Sequence, residues 1–151
     1  MIIQSTRFGE LDVMDTDIIK FPQGLLGFPE ENAFVLIPHH SDSPFVFLQS
    51  VSEPNLTFIM LETLNISNEY EFLLDDAVLE ELHLSPDNPP LVYNIVTTAE
   101  KEDDMTVNLL APIIIDTKQR LAKQTVLEKV PYQTRHRIFP EGTLKKMKEL
   151  Q

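Results

Sequence analysis

The residues with the clearest potential for metal or acid–base chemistry are two adjacent histidines in the stretch PHHSDS, residues 38–43. Together with Asp42, His39 and His40 would provide three metal ligands, or the base of a hydrolase. Neighbouring residues of an extended chain point to opposite sides, so we expect the two rings not to converge on one ion. The pattern therefore gives a metal centre or a hydrolase little support.

Pairs of carboxylates are a second potential source of acid–base chemistry. Catalysis by such a pair requires a buried pocket that separates the two pKa values. These pairs fall in predicted turns or on a helix surface beside other acids, which is typical of a solvated face: Asp15/Asp17, Asp75/Asp76, Glu80/Glu81 and Asp103/Asp104. The chain has no nucleophile elbow, zinc-protease or phosphate-loop motif. We therefore predict a protein that is not an enzyme and that holds no metal or cofactor.

Charge is distributed unevenly along the chain. The net charge is −12, but residues 1–116 hold 3 basic and 21 acidic side chains, a net −18, whereas residues 117–151 hold 9 basic and 3 acidic ones, a net +6. A protein that binds the nucleic-acid backbone needs a basic face, so we predict no direct nucleic-acid binding. An acidic body favours basic partners, although the same acids also keep a protein soluble.

Length and composition predict one domain in a reducing compartment. The 151 residues are enough to bury one hydrophobic core. The absence of cysteine excludes disulfides, thiolate nucleophiles and cysteine-based metal sites. We recognise neither a signal peptide at the N-terminus nor an apolar run long enough to span a membrane. The expectation is a cytoplasmic protein.

Short apolar segments separated by prolines indicate a β fold. Several alternate with a period of two, which is the signature of a strand, and no strand–helix–strand rhythm is present. Strands are predicted at 1–5, 10–14, 17–21, 33–37, 45–51, 57–64, 70–74, 91–98, 105–110, 112–116 and 121–127. Helices are predicted at 75–84 and 143–150. We expect a mainly β protein, a small antiparallel and partly closed β-barrel with one or two short helices.

The stretch FPQGLLGF, residues 21–28, holds two of the four glycines. It lacks the glycine density and the Lys-Ser/Thr pair of a phosphate loop. Phe21-Pro22 favours a turn, and Gly24 can adopt a positive φ. Leu25, Leu26 and Phe28 are too apolar for a free loop. They either plug one end of the barrel or form an exposed apolar patch that binds a partner.

Three segments resemble the FliW family of flagellar assembly factors. They are GELDVMDTDIIKFPQGLLGF at 9–28, VNLLAPIIID at 107–116 followed by LAKQTVL at 121–127, and PYQTRHRI at 131–138. Arg137 stands where the family pattern usually has proline. A basic tail, residues 139–151, follows the last segment. We therefore predict a FliW-like barrel domain at 1–138 and a separate basic tail at 139–151, which includes the helix predicted at 143–150.

The resemblance implies a small antiparallel β-barrel without enzymatic activity. Proteins of this family bind CsrA, a homodimeric translational repressor that binds RNA, and also bind flagellin. Binding of CsrA relieves the repression of flagellin synthesis, and flagellin that occupies the protein frees CsrA again. The implied mechanism is partner exchange, which couples translation to secretion. The alternative, from another class, is a β-barrel that binds a small ligand in its interior.

Two groups of residues are predicted to bind a partner. The first is the FPQGLLGF stretch, in which Phe21, Pro22, Gly24, Leu25, Gly27 and Phe28 form a structural turn at the edge of a contact surface. The second is acidic, with Glu100, Glu102, Asp103 and Asp104 and the acids of residues 69–81 opposing the RNA-binding region of CsrA. Asn108, a polar residue within an apolar segment, is either a satisfied core group or a partner contact. The free protein is expected to be a monomer.

Overall fold

The structure is a computed structural model that describes residues 1–40, 42–63, 69–101 and 104–138. Strands make up most of this part of the chain, as predicted. They are β1 (Ile2–Ser5), β2 (Gly9–Asp12), β3 (Ile18–Lys20), β4 (Ala33–Pro38), β5 (Phe45–Ser50), β6 (Thr57–Leu61), β7 (Leu91–Thr97), β8 (Thr106–Val107), β9 (Ile113–Asp116), β10 (Leu121–Gln124) and β11 (His136–Arg137).

Seven of these strands form a closed barrel, in the order β7-β6-β5-β4-β3-β10-β9 and back to β7. Closure depends on β9, which pairs antiparallel with both β10 and β7. The barrel is therefore fully closed, whereas the sequence predicted partial closure. One pairing, β3 with β10, is parallel, with Leu121 opposite Lys20. A closed barrel leaves no strand edge within the ring.

Two further pieces of sheet lie outside the ring. Strands β1 and β2 form a separate antiparallel pair with Ile3 opposite Leu11, and Ile3 and Val13 pack against Val35 of the barrel. Strand β8 extends the barrel sheet beyond β7, and β11 pairs with β8 through His136 and Val107. The chain between β10 and β11 thus returns to the side of the barrel that carries β7 and β8.

Side chains fill the interior of the barrel. Alternate residues of each strand point inward, so Tyr93 lies in the main core with Leu91 and Ile95 packed beside it. The members of this core that are almost or completely buried are Ile19, Phe21, Leu25, Phe34, Leu48, Met60, Ile113, Ile115 and Ala122. A small barrel normally fills its lumen in this way. This packing argues against the alternative of a small ligand bound inside the barrel.

A short helix, α1 (Asp76–Glu81), packs on the outside of the sheet. Val78 and Leu82 are buried against Val92 and Ile114, so the predicted helix at 75–84 is confirmed, although it is shorter. Residues 143–150, the second predicted helix, lie outside the described residues. In the described part, no helix has both the length and the apolar character needed to cross a bilayer.

The strand predicted at 70–74 is wrong. Residues 70–75 belong to no strand of the described chain. The alternation itself is real, because Tyr70 is buried and Phe72 and Leu74 pack against the α1 cluster. The segment therefore packs by its side chains on the barrel exterior, and its backbone pairs with no strand among the described residues.

Candidate partner-binding surface

The turn FPQGLLGF closes one end of the barrel directly after β3. Phe21 is completely buried, and its ring packs edge-on against Phe34 with 5.2 Å between centroids. The Asn32 side chain holds the turn, since Nδ2 donates to the Phe21 carbonyl at 2.9 Å. The Gly24 N–H donates to the same carbonyl at 2.9 Å. Phe21 is therefore part of the core, as well as the start of the turn.

Both glycines of the turn have positive φ, +67° at Gly24 and +84° at Gly27. Gly27 sits in a tight turn in which Leu25 and Phe28 exchange backbone hydrogen bonds of 3.1 and 2.8 Å. Positive φ at the third residue of such a turn favours glycine. Gly24 has a second constraint, because a Cβ there would lie 2.5 Å from the Pro29 carbonyl oxygen. The predicted structural role of the glycines matches this geometry.

The apolar residues of the turn divide between the core and the surface. Leu25 is 3% exposed and plugs the barrel, whereas Leu26 is 56% and Phe28 40% exposed. The Phe28 ring packs edge-on against Phe58 at 5.5 Å. Of the two alternatives left open by the sequence, Leu25 plugs the barrel, whereas Leu26 and Phe28 form an exposed apolar patch.

A line of hydrogen bonds joins the turn to Asn108. The Leu26 N–H donates to Oε1 of Gln124 at 2.9 Å, and Nε2 of Gln124 donates to the Ala111 carbonyl at 3.2 Å. The Asn108 side-chain oxygen accepts from the N–H of Leu110 and of Ala111, at 3.1 and 3.0 Å. Asn108 is thus a satisfied polar group that shapes the approach to β9, and its contact with a partner stays a prediction.

A buried polar cluster formed by Asn94 and Tyr70 lies beside the backbone of Asn108 and Leu109. The Asn94 Nδ2 donates to the Asn108 carbonyl at 2.9 Å and to the Tyr70 hydroxyl at 3.1 Å. The Tyr70 hydroxyl in turn donates to the Leu109 carbonyl at 2.8 Å. Burial raises the pKa of Tyr70 to about 12, an effect that the hydrogen bond from Asn94 partly opposes. The cluster anchors the start of the segment 70–75 to the barrel.

The acidic residues are spread over two regions of the surface. Glu100 is exposed, and Asp104 lies with its Oδ1 3.6 Å from Nη2 of Arg137. Glu102 and Asp103, also predicted as partner contacts, lie outside the described residues. The second region comprises the exposed acids Glu69, Glu71, Asp75, Asp76, Glu80 and Glu81. The Tyr132 hydroxyl bonds to the backbone of Glu69 and Glu71, so the basic segment 131–137 runs between the two acidic regions.

The histidines do not form a metal centre with the described residues. The His39 and His40 rings lie 4.5 Å apart, which is closer than predicted, because the chain leaves β4 at Pro38 and turns. His39 Nδ1 is 2.9 Å from the Ser43 hydroxyl, and its ring packs against Phe47. Within the described ranges, no three His, Cys, Asp or Glu side chains are placed to hold an ion.

Two apolar residues whose exposure the sequence did not predict lie on the surface. Leu73 is 94% exposed and Val126 is 52% exposed, and both line a shallow groove between residues 73–75 and 125–128. The signal for Leu73 was present in YEFLL, where it shares the outward face with Glu71. Leu73 and Val126 together place exposed apolar residues on the two sides of one groove.

Comparison with known proteins shows similarity to the FliW family over nearly the whole chain. The family model described as FliW protein matches residues 2–138. The flagellar assembly factor FliW of Desulfitobacterium hafniense (strain DSM 10664 / DCB-2) is 50% identical over 142 residues, covering 94% of this chain and 93% of that protein. That of Bacillus subtilis (strain 168) is 42% identical over 142 residues, covering 94% and 99%. A crystal structure of the flagellar assembly factor FliW superposes with a TM-score of 0.85 at 41% identity, covering 94% of this chain and 99% of that one.

Proposed function

Because this chain belongs to the FliW family, we propose that it is a regulatory binding protein of flagellar assembly that is not an enzyme. Its partners in this proposal are the translational repressor CsrA and flagellin. Binding of CsrA relieves the repression of flagellin translation. Flagellin displaces CsrA when it accumulates, so that synthesis falls until flagellin is exported. The protein works in the cytoplasm, where CsrA meets its RNA.

The charge of the body supports CsrA as a partner. A protein that binds RNA must present a basic surface to phosphate. Residues 1–116 of this chain carry a net −18, and the acids around α1 and at Glu100 are exposed. Opposite charge raises the association rate and selects a basic partner. Carboxylates held beside the RNA-binding region of CsrA would also repel an approaching phosphate.

The closed end of the barrel supports a role in protein contact. Leu26 and Phe28 are exposed on a turn whose neighbours, Phe21 and Leu25, are fixed in the core. Apolar side chains displayed on a rigid support lose little conformational entropy on binding. We therefore propose Pro22, Gly27, Phe28, Glu100, Glu102, Asp103, Asp104 and Asn108 as partner contacts. The other predicted members, Phe21, Gly24 and Leu25, are buried and support the turn from the core. Residues 139–151 remain a proposed basic tail outside the barrel domain.

The decisive experiment is a calorimetric titration of this protein with purified CsrA, repeated after saturation with flagellin. The proposal predicts a binding isotherm with CsrA that flagellin abolishes. CsrA binding that survives saturation with flagellin would contradict partner exchange and move the switch to another component. Absence of binding to both proteins would overturn the functional proposal altogether.

A further inference from the structure

The groove between residues 73–75 and 125–128, named the rim groove, is lined by both apolar and acidic residues. Its lining residues are Leu73, Leu74, Asp75, Thr125, Val126, Leu127 and Glu128. Leu73 and Val126 are the exposed apolar side chains of the two walls, and Leu127 is buried beneath them. The two ionisable residues of the lining, Asp75 and Glu128, are both acidic and both exposed.

The backbone along one wall of the rim groove is unpaired within the described chain, and its side chains alternate between exposed and half-buried, as in a strand. Within the described chain, no hydrogen bond involves the N–H or carbonyl groups of Phe72, Leu73 or Leu74. Across the groove, Thr125 and Leu127 donate to the carbonyls of Pro112 and Leu110. The N–H and carbonyl of Val126, which alternate with those groups, have no partner among the described residues. An extended segment with free backbone groups is a template to which another strand can add.

This template is held rigidly at both ends. At its start, the Glu71 N–H donates to the Tyr132 hydroxyl at 2.9 Å, and Tyr70 is bonded to Leu109 and Asn94. At its end, the Asp75 carbonyl accepts from the N–H groups of Val78 and Leu79 at the beginning of α1. A template fixed before binding loses little entropy when a partner is added. The backbone of Phe72–Leu74 is therefore ready for a partner strand.

The rim groove is linked to the turn FPQGLLGF through β10. Gln124 at the end of β10 accepts a hydrogen bond from the Leu26 N–H, and Val126 of the groove follows two residues later in the chain.

We propose that the rim groove binds an extended segment of CsrA by strand addition along Phe72–Leu74, with apolar residues over Leu73 and Val126 and basic residues at Asp75 and Glu128. The choice of partner rests on the proposed function. The two ionisable residues of the groove, Asp75 and Glu128, are acidic. They favour CsrA over flagellin, because the surface of CsrA must be basic to bind RNA.

Amide hydrogen exchange tests strand addition directly on the full chain. In the free protein we expect rapid exchange at Phe72, Leu73, Leu74 and Val126. After CsrA is added we expect slow exchange at alternate residues of the template, either at Leu73 or at Phe72 and Leu74, because an added strand bonds along one edge only. Slow exchange in the free protein would mean that residues 139–151 or a second copy already fill the groove, and would overturn the proposal. Protection by flagellin but not by CsrA would overturn it as well.

Substitutions test the side chains of the rim groove. Leu73→Asp and Val126→Asp each remove apolar contact while adding negative charge, which by itself would strengthen attraction to a basic partner. We expect each to weaken CsrA binding at least about tenfold, since burying one such side chain contributes that much or more. Met14→Asp is the matched control, because Met14 is 66% exposed and does not line the groove, and it should bind like the wild type.

The outcomes separate this inference from the proposed function. If the wild type does not bind CsrA, both proposals fail. If the wild type binds and Leu73→Asp and Val126→Asp bind with unchanged affinity, only the groove assignment fails. Glu128→Lys tests the charge of the groove, and Glu10→Lys on the β1–β2 hairpin is its control. Weaker CsrA binding by Glu128→Lys alone would support basic residues of CsrA beside Glu128. Equal CsrA affinities of the two variants would contradict that contact.

Discussion

The side-chain oxygen of Gln124 accepts a hydrogen bond from the backbone N–H of Leu26 at 2.9 Å, although the two residues lie 98 positions apart in the chain. Its amide nitrogen donates to the Ala111 carbonyl at 3.2 Å. One side chain at the end of β10 therefore holds the exposed turn against the approach to β9. The predicted contacts of the turn and the predicted contact Asn108 are thus linked through this side chain.

Gln124→Met should accordingly destabilise the fold. It keeps the length of the side chain but leaves the Leu26 N–H and the Ala111 carbonyl without partners, which costs about 1–3 kcal/mol. Gln23→Met is the control within the same turn, because Gln23 is exposed and its side chain makes no hydrogen bond to the described residues. Urea unfolding of the two variants measures the difference, and equal stabilities would contradict the structural role of Gln124.

Gly24→Ala should lower stability more than Gly27→Ala. Both positions have positive φ, so both variants carry backbone strain of roughly 1 kcal/mol or more. Only at Gly24 does the added Cβ meet a neighbour, the Pro29 carbonyl oxygen at 2.5 Å. Thermal unfolding should therefore show the larger decrease in Tm for Gly24→Ala. Weakened CsrA binding by Gly24→Ala with an unchanged Tm would instead make this residue a contact.

Stability should fall at high pH because of Tyr70. Its pKa is raised from 10.0 to about 12 by burial, so the unfolded chain releases this proton at lower pH than the folded chain. The neutral hydroxyl then contributes stability that is complete below pH 10 and is lost as the pH rises towards 12. Urea unfolding between pH 8 and pH 11 measures this loss.

Tyr70→Phe is the control for that measurement. At neutral pH it should cost about 1 kcal/mol, since the bond to the Leu109 carbonyl is lost, but it should be less sensitive to alkaline pH. An alkaline loss of equal size in both proteins would assign the effect to another group. Tyr93 is such a group, because burial raises its pKa as well.

Neutralising Glu100 and Asp104 together should weaken CsrA binding at low salt. Both side chains are exposed, so their attraction to a basic partner is screened by ions and should amount to roughly a two- to tenfold change in affinity. Glu100→Gln with Asp104→Asn should also reduce the dependence of affinity on salt. The matched control, Glu10→Gln with Asp12→Asn, removes the same charge from the β1–β2 hairpin. If affinity and salt dependence are the same in both double variants, the acids at 100–104 do not face CsrA.

The sequence by itself determined the class of the fold and most of its strands. Alternation with a period of two depends only on the geometry of the extended chain, and prolines mark its breaks. For this reason the segments that became β1 to β7, β9 and β10 were predicted with bounds close to those of the structure, and so was α1. The motifs of the turn and of 107–127 likewise identified the family, because local backbone requirements such as those at Gly24 and Gly27 restrict residue type.

Only the tertiary structure decided which strands pair with one another and which side chains pack together. Closure of the barrel depends on β9 pairing with both β7 and β10, and pairing between segments distant in sequence leaves no local pattern. For the same reason the alternation of residues 70–74 predicted a strand where no partner strand lies alongside. The division of Leu25 and Leu26 between the core and the surface, and the meeting of Leu73 and Val126 across one groove, follow from long-range packing, which composition and spacing do not encode.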